Sequence, residues 1–168
     1  MKKIGFITVV FCFFAFFAHA EAPQKIGEYN DWDAFFFREG KNIVCYMASS
    51  PQKSEGKYTQ RGNVYMVITH RPADKTYDVV NFVAGYTYKN SAPVTVKIGK
   101  ETITDIFVDG DKAWAMNATA DKKLVDAMKK GERLIIEGTS SKGTLTKDTY
   151  SLKGFSAAYR AISSKCRR

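Results

Sequence analysis

Few side chains in this chain could do chemistry. His70, in "ITHRP" at a strand end, could act as a general acid or base. Glu28, Asp31 and Asp33 in "EYNDWD" flank Trp32 and could share acid–base work, although aspartates ahead of a strand ordinarily serve turns and solvent. A serine triad would need its nucleophile on a G-x-S-x-G elbow, and the sequence contains none. A zinc site takes three or four ligands, and one histidine with two distant cysteines is a poor supply. "VDGD" (108–111) lacks the acid spacing of a calcium loop. "IGKET" (98–102) has Gly-Lys, but Val94 stands where a phosphate loop needs its first glycine. "NAT" (117–119) matches a glycan acceptor by a pattern too common to weigh. The expectation is a protein that is not an enzyme and uses no metal or cofactor. A hydrolase acting on envelope polymers, with His70, Asp31 and Asp33 as its acid–base groups, is the weaker alternative.

Charge is the bulk feature that suggests function. The formal net charge is +9. Lys122, Lys123, Lys129, Lys130 and Arg133 gather around one segment, and Lys165, Arg167 and Arg168 end the chain. A lysine-rich helix face often serves solubility alone. The sharper expectation is a candidate interaction surface for a polyanionic envelope or host-surface ligand, such as lipopolysaccharide, acidic lipid or glycan. The polar stretch 49–62, "SSPQKSEGKYTQRG", adds Lys53, Lys57, Tyr58 and Arg61 to that surface. It is long for a hairpin and poor in apolar residues, so an exposed, mobile loop is expected. Nucleic acid is not an expected partner. Of the nine tyrosines and twelve phenylalanines present before processing, most of those beyond residue 20 fall in strand patterns, which assigns them to a core.

The N-terminus sets the compartment. Lys2 and Lys3 precede the apolar run "IGFITVVFCFFAFF", and "AHA" follows before Glu21. A charged start, a short apolar run and a small-x-small site make a secretory signal peptide at 1–20, removed after Ala20. The run is short for a membrane span, and no transmembrane segment is expected after cleavage. Residues 21–168 then suit one domain. The expected location is the periplasm, the outer surface or the medium.

Export also frames the cysteines. Cys12 leaves with the signal, so Cys45 and Cys166 remain in an oxidising compartment. In "NIVCYMA", Ile43, Cys45 and Met47 share one strand face. In "GFSAAYRAISSKC", Phe155, Ala158, Tyr159, Ile162 and Cys166 form one helical stripe. Two inward thiols are best read as a disulfide, with two separate buried thiols as the alternative.

The elements that would position all this are mostly strands. Alternating or β-branched runs lie at 31–38, 42–48, 63–71, 77–88, 93–99, 103–116, 133–138 and 144–152. Asp109-Gly110 signals a hairpin. The segment 119–131 reads as a helix that Thr119 can cap and a left-handed Gly131 can end. Strands at short spacing with an internal and a C-terminal helix indicate a mainly β, antiparallel sandwich or barrel-like fold.

Taken together, "DWDAFFF", "NIVCYMASSP", "VYMVITHRP", "GERLIIEGTSSKGTLTKDTYSLKGFSAAYRAI" and the late Cys166 resemble the invasion associated locus B family, small exported proteins of Gram-negative bacteria. The resemblance implies a β-rich fold, a periplasmic or surface location and a link to host-cell entry or envelope maintenance. It brings no catalytic residues. It marks Trp32, Arg71, Pro72, Ser151, Leu152, Gly154 and Phe155 as a structural signature. An accessory role beside another envelope protein is the other reading it leaves open.

Overall fold

A computed structural model describes residues 21–167. The signal segment expected at 1–20 lies outside the described residues. Twelve strands run β1 Gln24–Tyr29, β2 Trp32–Glu39, β3 Asn42–Ser49, β4 Lys53–Gly56, β5 Tyr65–Arg71, β6 Thr76–Val83, β7 Thr95–Ile98, β8 Glu101–Ile103, β9 Ile106–Asp109, β10 Lys112–Ala115, β11 Arg133–Thr139 and β12 Leu145–Ser151. Two helices join them, α1 Ala118–Lys130 and α2 Phe155–Lys165. A 3-10 turn, Pro72–Asp74, links β5 to β6.

The strands form two antiparallel sheets. The seven-stranded sheet has the order β1-β2-β3-β5-β6-β10-β9, and the five-stranded sheet the order β4-β12-β11-β7-β8. This is a sandwich rather than a closed barrel. The strict alternation read from the sequence is what builds it, because inward residues at every second position can pack between layers. Met47, Met66, Ile68 and Phe82 from one sheet and Val96, Leu134, Ile136 and Tyr150 from the other join one continuous core. The helices complete it. α1 packs on β6 and β10, and α2 packs on β1, β2 and β3.

Several local expectations need correction. Part of the 49–62 stretch is not a free loop, because β4 pairs antiparallel with β12 as an edge strand. Thr119 does not cap α1. The Asn117 side chain does, accepting the backbone N–H groups of Thr119 and Ala120, each at 3.0 Å. Gly131 ends α1 with extended backbone (φ −85°, ψ 162°) and not a left-handed residue. It is needed for space, since a Cβ there would lie 2.6 Å from Ile98 Cγ2. The run 77–88 stops pairing as a strand at Val83. The β9–β10 hairpin is present, with Lys112 opposite Asp109 and Gly110 at φ +58° in the turn.

Candidate functional site

Three chain segments meet at one end of the sandwich. They are the connection after β4, the connection after β6, and the β11–β12 hairpin. Their backbones are tied to each other: Gly62 N–H donates to Gly85 O at 2.9 Å, and Ser141 N–H to Thr87 O at 2.7 Å. The first contact is close enough to demand glycine, because a Cβ on Gly85 (φ +69°) would lie 2.5 Å from Gly62 O. Between the segments lies a cleft of about 390 Å³. Lys57, Tyr58 and Lys142 stand among its walls, with Arg61, Tyr86 and Thr146 also lining it.

Arg61 organises this cleft from inside. Its Nε donates to Ala84 O at 2.7 Å, and Nη1 and Nη2 donate to the two carboxylate oxygens of Asp148 at 2.8 and 2.6 Å. Both side chains are 5% exposed. The guanidinium also sits 5.3 Å from the Tyr58 ring and 5.0 Å from the Tyr86 ring. A planar fork matches both a carboxylate and aromatic faces, which a lysine could not do. Tyr86 is fixed further by a 2.6 Å contact between its hydroxyl and Thr146 Oγ1. Burial pushes the phenols of Tyr86, Tyr88 and Tyr150 up, so none is a base at neutral pH.

The cleft lining contains two lysines, two tyrosines, Arg61 and a set of serine and threonine hydroxyls, with no carboxylate, histidine or cysteine. This composition can hold an anionic or hydroxyl-bearing group. Three residues from the polar stretch, Lys57, Tyr58 and Arg61, converge here. Arg61 is not an exposed contact residue as expected from sequence, because its charge is already spent on Asp148. Lys53 stays apart on β4, paired with Glu55 at 2.8 Å.

The basic helix is a separate surface. Lys122 and Lys123 are exposed on α1. Lys122 is ion-paired to Asp126, and its ammonium holds that carboxyl below the usual range. Lys129 lies 3.8 Å from Asp126 and 3.9 Å above the Tyr159 ring. Lys130, with Lys97 and Arg133, borders a shallow depression. The cluster is therefore partly neutralised in place.

The residues near the C-terminus close the fold. Trp32 Nε1 donates to Ser151 O at 3.0 Å, and its ring meets Phe155 edge-on at 5.0 Å. Ser151 Oγ accepts the Lys153 N–H at 3.1 Å, and Leu152 is buried. Arg71 is paired with Glu39 at 2.8 Å, and Pro72 opens the 3-10 turn. Cys45 and Cys166 are joined as a disulfide with Cα atoms 6.0 Å apart. A family model described as Invasion associated locus B (IalB) protein matches residues 32–163. The chain belongs to this family. The IalB match starts at Trp32 and so takes in the whole Trp32–Ser151–Phe155 contact, while β1 and Cys166 lie outside it. No curated protein and no solved structure matches the chain.

His70, the first acid–base candidate, is buried in this IalB fold at 0% exposure. Its Nδ1 accepts the Asp78 N–H at 3.1 Å, which leaves its proton on Nε2, 3.1 Å from Ser163 Oγ. Asp78 adopts φ +63° at a register shift between β5 and β6, and its carboxylate accepts the Tyr159 hydroxyl at 2.7 Å. Nearby, Asp121 Oδ1 accepts the Val80 N–H at 2.8 Å. Burial pushes the Asp121 carboxyl up to about 6, with a smaller push from Asp78 and an opposing pull from the Val80 hydrogen bond. This polar node fastens both helices to β5 and β6. Asp31 and Asp33, the other acid–base candidates, lie near the β1–β2 turn, where Asp33 pairs with Lys25 at 3.0 Å. The structure does not bring them together with His70. Among the described residues no group of His, Cys, Asp and Glu is arranged to hold a metal.

Proposed function

We propose that the protein is exported and acts in the envelope or at the host surface by binding, without catalysis, and that the Tyr58–Tyr86 cleft is its ligand site. The observation that carries this is the cleft's lining: ammonium groups, aromatic rings and hydroxyls, with no acid–base pair. A cavity of this size takes one sugar-sized unit. The ligand that suits it is an anionic glycan, which lysines attract and hydroxyls and ring faces orient. The Cys45–Cys166 disulfide supports an oxidising location, and family membership supports a role in invasion or envelope maintenance.

The test is binding of lipopolysaccharide and of heparin as two defined polyanion probes. Lys57→Ala with Lys142→Ala, and separately Tyr58→Ala, should each weaken binding by about 10-fold or more, and the lysine pair should flatten the salt dependence. Loss confined to a Lys122/Lys123/Lys129/Lys130→Ala protein would move the site to α1. Binding unchanged in all variants would end the polyanion reading.

A further inference from the structure

The two sheets differ on their outward faces. In an antiparallel sandwich the inner face packs and the outer face is normally polar. The five-stranded sheet has a mostly polar outer face: its positions include Thr95, Lys97, Glu137, Lys147 and Thr149, with Ile135 and the exposed Leu145 as its apolar residues. The seven-stranded sheet does not. Register places Phe35, Tyr46, Thr69 and Val79 in one outer row, and Ala48, Val67, Asn81, Trp114 and Phe107 in the next. Phe35, Tyr46, Val67, Val79 and Trp114 are only half-buried, and Phe107 is 44% exposed. Both helices pack on the opposite face, where the buried neighbours in the same strands point. Phe35 and Tyr46 stack at 5.1 Å and Phe37 meets Tyr46 edge-on at 6.1 Å, so the β2–β3 end of the patch is continuous.

A contiguous apolar face of this kind marks an interaction surface. We propose that its occupant is a second copy of this chain, seated face to face across a two-fold axis. Two observations select this occupant. The first is the border. Ion pairs Lys25–Asp33, Glu39–Arg71 and Asp111–Lys112 lie beside the apolar rows, so both signs of charge stand at the border. A lipid-facing surface would carry cations without matching acids. A polyanion would select the basic surfaces elsewhere on a chain of charge +9. A border holding both signs is self-complementary, as an isologous contact requires. The second is size. Seven strands span roughly 30 Å, and five residues along each span ~17 Å, so two such faces in contact bury on the order of 1,000 Å². That is about where specific interfaces begin. Twisted sheets with apolar outer faces stack in the aligned manner by which sandwich layers already pack.

The experiment is sedimentation of the full oxidised chain over a dilution series, with tryptophan emission recorded in parallel. The expected result is a species of twice the monomer mass that dissociates on dilution. Trp114 lies on the proposed face and Trp32 is 1% exposed in the core, so dissociation should red-shift the emission through Trp114 alone. Val67→Glu with Phe107→Glu should raise the dimer Kd by at least about 100-fold, because a two-fold contact buries each new carboxylate twice. Ile135→Glu, on the outer face of the other sheet, should leave the dimer intact. A monomer at every concentration overturns the proposal. So does a dimer whose dissociation leaves Trp114 emission unmoved, a readout that needs no variant to fold. A monomer that binds phospholipid vesicles through Val67 and Phe107 overturns it and gives the face to lipid.

Discussion

Gly154 stands so close to Tyr29 that a Cβ at Gly154 would lie 1.7 Å from the Tyr29 carbonyl oxygen. The glycine also has φ +91°. It is the residue where the chain leaves β12 and enters α2, and both demands exclude any side chain there. Gly154→Ala should therefore cost about 3 kcal/mol or more, by displacing β1 or the start of α2. Urea denaturation of the variant checks this. A loss below 1 kcal/mol, about the ordinary cost of a glycine change in open space, would contradict it.

Arg61 and Asp148 form a bidentate pair with little solvent contact. Removing one partner strands the other. Arg61→Ala should destabilise by about 3–5 kcal/mol, while the double variant Arg61→Met with Asp148→Leu should recover much of the loss. The comparison of the two melting curves decides it. Equal losses would mean that the pair holds the cleft in a way that apolar replacements cannot reproduce.

Asp121 gives stability a pH dependence of definite sign. Its carboxyl titrates near 6 when folded and near 3.8 in an ordinary setting. Below about 4 it is protonated in both states and costs nothing. Between these values the folded state holds the extra proton, so this group's contribution to stability falls as pH rises. Above about 6 the buried charge carries a constant cost on the order of 3 kcal/mol. Asp121→Asn keeps an acceptor for Val80 and should be more stable than the parent at neutral pH, with a flatter profile from 4 to 6. Denaturation at a series of pH values would show the variant less stable than the parent at neutral pH if Asp121 were stabilised as the anion.

The disulfide closes a loop with a sequence separation of 121. In the chain-entropy model this contributes about 4–5 kcal/mol. Cys45→Ala with Cys166→Ala should lose a stability of that order, and thiol reductant should lower the melting temperature of the parent but not of the variant. Melting scans of both proteins with and without reductant measure this.

What could be read from residue order was whatever rests on local periodicity. Val94, Val96 and Ile98 alternate strictly, and β7 lies where they do. The stripe from Phe155 to Cys166 gave both α2 and the inward thiol. β1 escaped because only Ile26 and Tyr29 are apolar in "QKIGEY", so an edge strand looks like a tail. β4 escaped for the same reason: "KSEG" offers no apolar side chain and exists only through its ladder with β12. The cleft was half legible. Lys57, Tyr58 and Arg61 drew notice as a polar run, but nothing near Arg61 reveals that its partner lies 87 positions later. His70 looked like a lone acid–base group for a similar reason. Its contacts come from Asp78 across a bulge and from Ser163 on the last helix.

The packing of α2 on β1, β2 and β3 sets the order in which this protein can be completed. The helix that covers Trp32, Ala34 and Cys45 is made after every strand of both sheets. β2 and β3 can pair as soon as they emerge, but their inner face has no lid until Phe155 arrives, and Cys45 has no partner until Cys166 does. At ordinary synthesis rates that interval is roughly 5–25 s. For that time the chain presents an apolar sheet and a Cys45 thiol still without Cys166, so its yield depends on what shields both: a holdase for the sheet, and an oxidant that acts late rather than early.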